Sequence, residues 1–503
     1  MNPLKRLAGD TAIYGLSTIV ARLINYLLVA YHTRVLDRAQ YGVFTEFYGY
    51  ATFFLVLLTY GMETGFFRFS SRAGQRPDTV FSTSMVSLLA TSLLFFAVVA
   101  LNLSGFSAWM GYPGNRSYVL QMAAVLAIDA FTAIPFARLR FLRKAKLFAL
   151  FKLLNVLLYV LVSVVFFTLL PPYFAQHPDS FLLRFFSPGV DVGYIFTANL
   201  LSSLLSLLLL LPTIFGVKLS FSPALLRRML VYSLPLLIAG LPGVANDYLD
   251  RVLFKHLYSD ASFALDQLGV YGANAKLAVL MVIFVQMFRY AAEPFFFAHA
   301  EKADTRPLFA QVMKYFVICA VFIFLLVSLN IDIFAYFTGK DFREGATIVP
   351  VMLFANLLLG VVFNLSMWYK LSEKTKYAVY ITLSGVLVTV IVNVTFIPRY
   401  GYHAAAWAHF FSYAVMLAVS YAMGQKFYPI RYDLRAIGFY IFAGLGIYAI
   451  FALCKAFDFG FVANSILAAA LLLAYLAVAF LRDGRALARS HRQRSAAGSA
   501  RTS

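Results

Sequence analysis

The chain has 503 residues, of which 62% are hydrophobic and only 13% are charged. Because soluble domains carry about 25% charged residues, this composition excludes an ordinary water-soluble protein and indicates that lipid is the main solvent. The formal net charge of +20 would suggest nucleic acid as a partner of a soluble protein, whereas in a membrane protein it reports orientation.

Apolar segments close to the ~20 residues that cross a bilayer recur along the whole chain. They predict fourteen transmembrane helices, at 10–33, 42–67, 80–101, 117–137, 148–170, 191–213, 224–249, 268–297, 311–331, 344–366, 377–397, 403–424, 434–454 and 460–481. The sequence therefore predicts an all-α polytopic membrane protein. We do not expect the first segment to be a cleaved signal peptide, because Arg22 and Asn25 lie in its middle and it has no small-residue cleavage site.

The lysines and arginines alternate between rich and poor loops. With both termini in the cytoplasm, 28 of the 42 fall on the inner side and ten on the outer side. The four that remain within spans are Arg22, Lys152, Lys276 and Arg289. Positively charged loops stay in the cytoplasm, so we expect an even number of spans and cytoplasmic termini. The Arg-, Ser- and Ala-rich stretch at 482–503 predicts a disordered basic tail.

The sequence contains an internal repeat, in which residues 41–67 align without gaps to 271–297. The alignment pairs Tyr41 with Tyr271, Gly42 with Gly272, Glu63 with Glu293 and, just upstream, Arg34 with Arg251. Six predicted spans separate the two copies, so both halves have the same orientation in the membrane. Parallel repeats of this kind are a transporter architecture with the substrate path at the interface between the halves.

The repeat also predicts how the chain is divided. We expect two six-helix lobes, followed by two additional helices and the basic tail. Ser222 and Pro223 suit the cap and the first turn of the helix that opens the second lobe. The predicted divisions are a first lobe over 1–215, a linker over 216–222, a second lobe over 223–425, two C-terminal spans over 426–481 and the tail over 482–503.

Several segments resemble a known family across roughly residues 5–480. They are Tyr41-Gly-Val-Phe-Thr-Glu46, Leu58-Thr-Tyr-Gly-Met-Glu63, Arg289-Tyr-Ala-Ala-Glu-Pro294 and Asn364-Leu-Ser-Met-Trp-Tyr-Lys370. They look like the O-antigen-type polysaccharide flippases of the multidrug/oligosaccharidyl-lipid/polysaccharide (MOP) exporter superfamily. The resemblance implies a central cavity with alternating access to the two faces of the bacterial cytoplasmic (inner) membrane. The implied substrate is a polyprenyl-diphosphate-linked oligosaccharide. Such a substrate is a precursor of lipopolysaccharide O-antigen, capsule or exopolysaccharide, and polysaccharide polymerase and chain-length proteins are the implied partners.

Other functions remain as alternatives. They are a cation-coupled multidrug exporter of the MATE type, a lipid II flippase and a membrane polysaccharide polymerase. The outer loop at 171–190 is short for a polymerase, and the sequence has no phosphate-binding loop or catalytic motif. We therefore predict a transporter that is not an enzyme and has no cofactor or metal.

A diphosphate headgroup that crosses the membrane needs compensating cations, for which Arg is well suited. The candidate ligands are Arg22, Lys276, Arg289, Arg251 and Arg34. Arg22 coincides with an arginine of the related lipid II flippases, although it could instead pair with Asp129, which is otherwise a candidate cation-coupling site. Lys276 could instead extend towards the outer interface. Arg289 could form a helix-stabilising pair with Glu293, four residues on.

Acidic residues are candidates for gating or ion coupling. They are Glu63, Glu293, Asp129, Asp247 and Asp250. Glu63 and Glu293 end equivalent spans, so they form either an inner gate or proton site, or simple helix caps. Asp247 and Asp250 lie beside Arg251 at an outer helix end, which either binds the headgroup, locks the outward gate or is simply a solvated terminus.

Overall fold

A computed structural model describes residues 20, 23–72, 74, 76–184, 186, 189–299, 306–457 and 459–484. These residues form helices and turns, and there is no strand among them. Thirteen of their helical segments are long and apolar enough to span a membrane, and they coincide with predicted spans two to fourteen. The predicted all-α polytopic fold is therefore confirmed. Most of the first predicted span lies outside the described residues.

Nine helices lie between residues 23 and 215 of the described chain. They are α1 (23–35), α2 (Arg38–Thr59), α3 (Met62–Ser70), α4 (Pro77–Leu101), α5 (Leu103–Trp109), α6 (Arg116–Phe141), α7 (Ala145–Val164), α8 (Leu170–Gln176) and α9 (Gly193–Phe215). A π-helical turn, Val165–Leu169, joins α7 to α8, and a 3₁₀ turn, Phe181–Arg184, follows.

The remaining helices continue the same pattern. They are α10 (Pro223–Leu253), α11 (Ala261–Ala275), α12 (Val279–His299), α13 (Arg306–Leu329), α14 (Ile331–Ala335), α15 (Val349–Leu365), α16 (Met367–Leu371), α17 (Lys376–Tyr400), α18 (Tyr402–Phe427), α19 (Leu434–Lys455) and α20 (Phe461–Ala479). Between and after them lie 3₁₀ turns at Phe254–Leu257, Lys276–Ala278 and Lys340–Ile348 and a π-helical turn at Phe480–Gly484.

Local sequence explains where key helices begin and break. The Asp37 carboxylate accepts a hydrogen bond from the Gln40 backbone N–H at 2.7 Å and starts α2. Tyr60 and Gly61 have φ of 31° and 68°, so the left-handed backbone ends α2 and α3 restarts at a new angle. The Ser222 hydroxyl accepts from the Leu225 N–H at 3.3 Å, which confirms the predicted cap of α10.

The described residues divide into two compact units. Unit one comprises those up to Ala273 together with Thr338–Phe342 and Thr389–Tyr402, and unit two comprises the rest. This division falls later in the chain than the predicted lobe boundary, which stays a prediction.

Unit one is built around α6, which packs against α4 and α9, while α10 packs against α2 and α3. A buried cluster brings together apolar side chains from these helices, among them Phe66, Phe81, Ile134, Leu210 and Met229. This packing leaves polar residues of α6, α7 and α9 facing an internal space.

Unit two is built around α13, which packs against α15, α19 and α20. Two ion pairs attach the C-terminal helices: Lys455 Nζ lies 2.6 Å from Asp332 Oδ1, and Lys314 Nζ lies 2.5 Å from Asp483 Oδ1. The two additional predicted spans are thus held to the rest of unit two at both ends.

Candidate functional site

A cavity of about 530 Å³ lies within unit one, between α2, α3, α6, α7 and α9. Its polar lining consists of Thr59, Glu63, Asp129, Thr132, Arg140, Lys152, Asn155, Asn199, Ser203 and Ser206. Four of these side chains are ionisable and lie on membrane-spanning helices. Ionisable groups at membrane depth are costly unless they face water or a partner, so this cavity is the leading candidate for the functional site.

The cavity has an exposed end at the Glu63–Arg140 ion pair. Arg140 Nη2 donates to Glu63 Oε1 at 2.5 Å, and the two side chains are 32% and 42% exposed. Arg140 lies in the last turn of α6, and Asp129 lies 11 residues earlier, a rise of about 16 Å at 1.5 Å per residue. The cavity therefore extends from a solvent-exposed ion pair to the middle of a span.

Asp129 faces the inner part of the cavity. The Ser203 hydroxyl donates to Asp129 Oδ1 at 2.7 Å, and the Thr132 hydroxyl donates to the Asp129 backbone carbonyl at 3.2 Å. Among the described residues, no cation lies within ion-pairing distance of this carboxylate. Asp129 is thus anchored by a neutral hydroxyl, and its negative charge acts on the cavity.

Lys152 of α7 supplies the opposing charge. Its ammonium lies 4.1 Å from the centroid of the Phe136 ring, and the part of the chain that the structure describes offers it no hydrogen bond or ion pair. Ammonium groups have three N–H donors that need acceptors. The Lys152 donors are therefore available to water or to an anion in the cavity.

Side-chain amides fix the α7–α9 wall. The Asn155 amide donates to the Ser202 carbonyl at 2.8 Å and to the Ser206 hydroxyl at 2.9 Å. The Asn199 amide donates to the Tyr48 hydroxyl at 2.7 Å. These bonds join α7 to α9 and α9 to α2 beside the cavity.

The four ionisable groups of the cavity sum to zero formal charge, with two carboxylates against one guanidinium and one ammonium. The guanidinium pairs directly with Glu63, whereas the ammonium interacts with Asp129 only at a longer range, so its N–H donors remain available to an anionic partner. A charge-assisted hydrogen bond from an ammonium to phosphate oxygen is about twice as strong as a neutral one. The arrangement can bind an anionic group deep in the membrane.

A second buried charge set lies elsewhere in unit one, and we call Glu46, Tyr112 and Lys255 the Glu46 cluster. Glu46 and Lys255 are 0% and 9% exposed, with Glu46 Oε2 and Lys255 Nζ 3.6 Å apart. The Tyr112 hydroxyl donates to Glu46 Oε2, and Lys255 Nζ donates to the Met110 carbonyl at 2.7 Å. Burial, reinforced by the Glu46 carboxylate, raises the pKa of Tyr112, so its phenol remains a donor.

Two of the residues predicted from sequence, Glu63 and Asp129, both line the cavity. Arg22, the predicted partner of Asp129, lies outside the described residues. Glu293 lies in α12, but its side chain is also outside the described part. The predicted pairing of Arg289 with Glu293 and the predicted Glu63–Glu293 gate therefore stay predictions.

The predicted outer charges are placed at the end of α10 and of α1. Asp250 is 1% exposed, so the alternative of a solvated helix end is wrong for this residue, whereas Asp247 is exposed. The Arg251 guanidinium lies 4.4 Å from the Tyr248 ring centroid. Arg34 Nη1 donates to the Ala30 carbonyl at 2.5 Å and so caps the end of α1.

Lys276 and Arg289 belong to unit two, and both are exposed there. The Arg289 guanidinium lies 5.1 Å from the centroid of the Phe363 ring. Lys276 begins the 3₁₀ turn Lys276–Ala278, which interrupts the predicted span between α11 and α12. Their roles as substrate ligands stay predictions.

Sequence reasoning did not select Lys152, Arg140 or the Glu46–Lys255 pair. Lys152 was visible as a lysine within a predicted span, with no acidic residue three or four positions away. Arg140 was assigned to the following loop, because the predicted span ended at 137 whereas α6 continues to Phe141. An intramembrane cation without a local partner is the signal that points to such a site.

The sequence pattern of a family described as "Polysaccharide biosynthesis protein" matches residues 7–299, more than half of the chain. This segment contains the whole cavity and the Glu46 cluster. A comparison with curated protein sequences finds no match.

Solved structures share the fold at low sequence identity. One named "Lipid II flippase MurJ, inward closed conformation" has a TM-score of 0.64 and 13% identity, and the match covers 93% of this chain and 98% of that chain. An inward-facing multidrug resistance MATE family transporter of the MOP superfamily has a TM-score of 0.64 and 15% identity, over 81% and 94% of the two chains. The MATE multidrug transporter DinF-BH in complex with R6G has a TM-score of 0.56 and 15% identity, over 85% and 97%. The predicted MATE/MOP-like fold is confirmed.

Proposed function

Since the chain belongs to the polysaccharide biosynthesis protein family, we propose that it is a flippase that moves a polyprenyl-diphosphate-linked oligosaccharide across the bacterial cytoplasmic membrane by alternating access. The substrate is a precursor of O-antigen, capsule or exopolysaccharide. The reaction moves a lipid and breaks no covalent bond, so the chain acts as a transporter and not as an enzyme.

The observation that carries this proposal is the Lys152 ammonium. Among the described residues, no carboxylate or carbonyl forms an ion pair or hydrogen bond with this ammonium. It faces a cavity of about 530 Å³ within the membrane-spanning helices. A diphosphate carries concentrated negative charge that must be compensated while it crosses the apolar layer. Lys152 provides that compensation, and Arg22 stays a predicted second ligand.

The Glu63–Arg140 end of the cavity serves as the entrance from the cytoplasm in this proposal. Basic residues are concentrated there, because Arg138 and Arg140 end α6 and Arg143, Lys144 and Lys146 follow. Such a loop is retained in the cytoplasm, where anionic lipid surfaces attract it. A diphosphate headgroup would meet these cations before reaching Lys152, and both chain termini would be cytoplasmic.

The Asp129 carboxylate has a role in release. Asp129 faces the same space as Lys152, so it opposes a bound anion and prevents binding that is too tight for transport. Polysaccharide polymerase and chain-length proteins on the outer side would consume the product and make the movement unidirectional.

The test is transport of a fluorescent polyprenyl-diphosphate oligosaccharide by purified protein in proteoliposomes. The wild-type protein, Lys152→Arg and the control Lys455→Met should all move the lipid, whereas Lys152→Met should not. Lys455 is a suitable control because it lies at the end of a membrane-spanning helix in unit two and forms an exposed ion pair.

The same vesicles test the alternatives. Lipid II and a cationic dye are offered separately, because the structural neighbours are named as a lipid II flippase and as multidrug transporters. Exchange of the dye for protons without movement of the oligosaccharide lipid would overturn the proposal and establish a multidrug exporter. Preference for lipid II would replace the proposed glycan while leaving the role of Lys152 in place.

A further inference from the structure

A seam of glycines lies between α2 and the part of α11 that belongs to unit one. A Cβ atom added at Gly42 would lie 1.9 Å from the Leu265 carbonyl oxygen, and one added at Gly269 would lie 1.9 Å from the Arg38 carbonyl oxygen. A Cβ at Gly272 would lie 2.2 Å from a side-chain oxygen of α2. Only glycine allows the two backbones to approach this closely, as in small-residue helix crossings in membranes.

The seam joins the two copies of the internal repeat. Gly42 and Gly272 are aligned with each other in the repeat, and each lies at the contact between α2 and α11. Equivalent positions of the two halves therefore meet at one end of unit one. A contact between repeat-related helices is the kind that must form and separate when halves of a transporter move relative to each other.

The Glu46 cluster closes the same end. Glu46 follows Gly42 by four residues, which places both on one face of α2. Its carboxylate accepts a hydrogen bond from Tyr112 in the α5–α6 loop and faces Lys255, which follows α10. Three separate elements thus meet on one buried carboxylate beside the glycine seam.

The cluster is not fully satisfied in the closed arrangement. Glu46 Oε1 is buried and has no hydrogen-bond partner among the described residues. Buried ion pairs contribute little net stability because desolvation offsets their attraction, and an orphaned oxygen reduces the contribution further. The contact therefore has a specific geometry, but its separation costs little free energy, as a reversible contact requires.

The cavity is exposed at the opposite end of the same helices. Thr59, which lines the cavity as the last residue of α2, lies 13 residues after Glu46, a rise of about 20 Å at 1.5 Å per residue, and Glu63 at the entrance lies beyond it. The Glu63–Arg140 pair at that end is exposed, whereas the Glu46 cluster is buried. One end of unit one is thus accessible to solvent and the other is sealed.

We propose that the glycine seam of Gly42, Gly269 and Gly272, with the Glu46 cluster, is the gate on the outer side of the membrane. Its separation exposes the cavity to that side, and its closure accompanies access from the Glu63–Arg140 end. The assignment of the outer side rests on the orientation in the proposed function. The existence of the gate does not depend on the identity of the substrate.

The experiment measures which membrane face reaches the cavity. The reporter is Ala133→Cys, which lines the cavity, in a background with Cys319→Ala and Cys454→Ala. A membrane-impermeant maleimide is added outside intact cells or to inside-out vesicles. The parent should label mainly from the cytoplasmic side. Gly42→Ala should raise labelling from outside at least about tenfold, because the added methyl prevents closure of the seam. The control Gly243→Ala, whose Cβ would meet open space, should leave labelling from outside unchanged.

The Glu46 cluster is tested with the same reporter. Lys255→Met leaves a buried carboxylate without its counter-charge and should also raise outside labelling about tenfold or more. Adding Glu46→Gln to Lys255→Met removes that unpaired charge and should return labelling towards the parent value. If Gly42→Ala and Lys255→Met both label as the parent does, with cytoplasmic-side labelling retained, the seam is not a gate.

A cross-link tests the gate in the opposite direction. A Cβ at Gly49 would lie 3.1 Å from the Arg251 Cβ, close to the separation that a disulfide bridges. Oxidation of Gly49→Cys with Arg251→Cys, added to the Gly42→Ala reporter variant, should abolish the raised outside labelling, and reductant should restore it. Unchanged outside labelling after complete cross-linking would overturn the proposal. None of these measurements uses a lipid-linked sugar, so failure of the proposed substrate and failure of the gate are distinguishable.

Discussion

The cavity and the Glu46 cluster contain the same chemical groups in two different arrangements. In each, a lysine ammonium lies over an aromatic ring, with Lys152 4.1 Å from the Phe136 centroid and Lys255 3.7 Å from the Tyr112 centroid. Lys255 also has a carboxylate at 3.6 Å and a carbonyl acceptor at 2.7 Å, whereas Lys152 has neither among the described residues. The Lys255 ammonium is part of a buried contact between helices, whereas the Lys152 ammonium faces a cavity.

This difference shows that an intramembrane charge cannot be assigned a role from its depth alone. A cation whose donors are taken by the protein holds helices together, and a cation whose donors are available can bind a ligand. The contrast predicts that substitutions in the Glu46 cluster act on stability and conformation, whereas substitutions in the cavity act on substrate.

The largest effect on stability is expected for Lys255→Met. Removal of one partner from a buried ion pair leaves an uncompensated charge and destabilises the closed protein by about 3–5 kcal/mol. The measurement is thermal unfolding of the detergent-solubilised protein, followed by loss of the monodisperse peak. Glu46→Gln combined with Lys255→Met should recover most of the loss, and equal destabilisation by the double variant would break the comparison.

The next effect is expected for Lys152→Met, and it should appear in transport. Loss of a charged contact to the diphosphate should weaken transition-state binding by about 2–5 kcal/mol, which is about thirtyfold or more in the transport rate. Thermal stability should change less than in Lys255→Met, because no direct ion pair or hydrogen bond is broken and Asp129 keeps its hydrogen bond from Ser203. A large loss of stability with normal transport would reverse the two roles.

A smaller effect of opposite sign is expected for Asp129→Asn. Removal of the carboxylate charge while Ser203 retains an oxygen acceptor should strengthen binding of an anionic headgroup by about tenfold. Binding of a short-chain prenyl diphosphate, measured by titration calorimetry, checks this expectation. Weaker binding by the Asn variant would show that the carboxylate positions a ligand instead of opposing it.

The smallest effect is expected for Glu63→Gln at the cavity entrance. Exposed ion pairs contribute about 0–1 kcal/mol, so the thermal midpoint should stay close to that of the wild-type protein. The freed Arg140 guanidinium should raise the initial rate of headgroup capture at low ionic strength, and added salt should suppress the gain. A drop in stability as large as that of Lys255→Met would indicate that the entrance is also a buried lock.

The fold was largely predictable from sequence because each span needs about 20 apolar residues, and this requirement is visible in the composition of every segment. The cap at Ser222 was equally local and is confirmed. The break at Tyr60 and the 3₁₀ turn at Lys276 were not predicted, since a continuous apolar run does not reveal where a helix changes direction.

The candidate site was predictable only in part. Glu63 and Asp129 were selected because they are acidic residues within or beside spans, and both line the cavity. Their surroundings were not predictable, since Arg140 lies 77 positions from Glu63 and Ser203 lies 74 positions from Asp129. Glu46 lies within a segment that resembles the family, but its contact with Lys255 depends on how α10 packs against α2.

The proposed flippase function requires that Lys152 receive an anionic headgroup in a cavity where Asp129 opposes it. The most direct measurement is binding of a short-chain prenyl diphosphate to the purified wild-type protein, Lys152→Met, Lys152→Arg and Asp129→Asn. We predict that binding is lost in Lys152→Met, is retained in Lys152→Arg and is strengthened in Asp129→Asn. Equal binding by the wild-type protein and Lys152→Met would contradict the account, because the headgroup would then be held elsewhere.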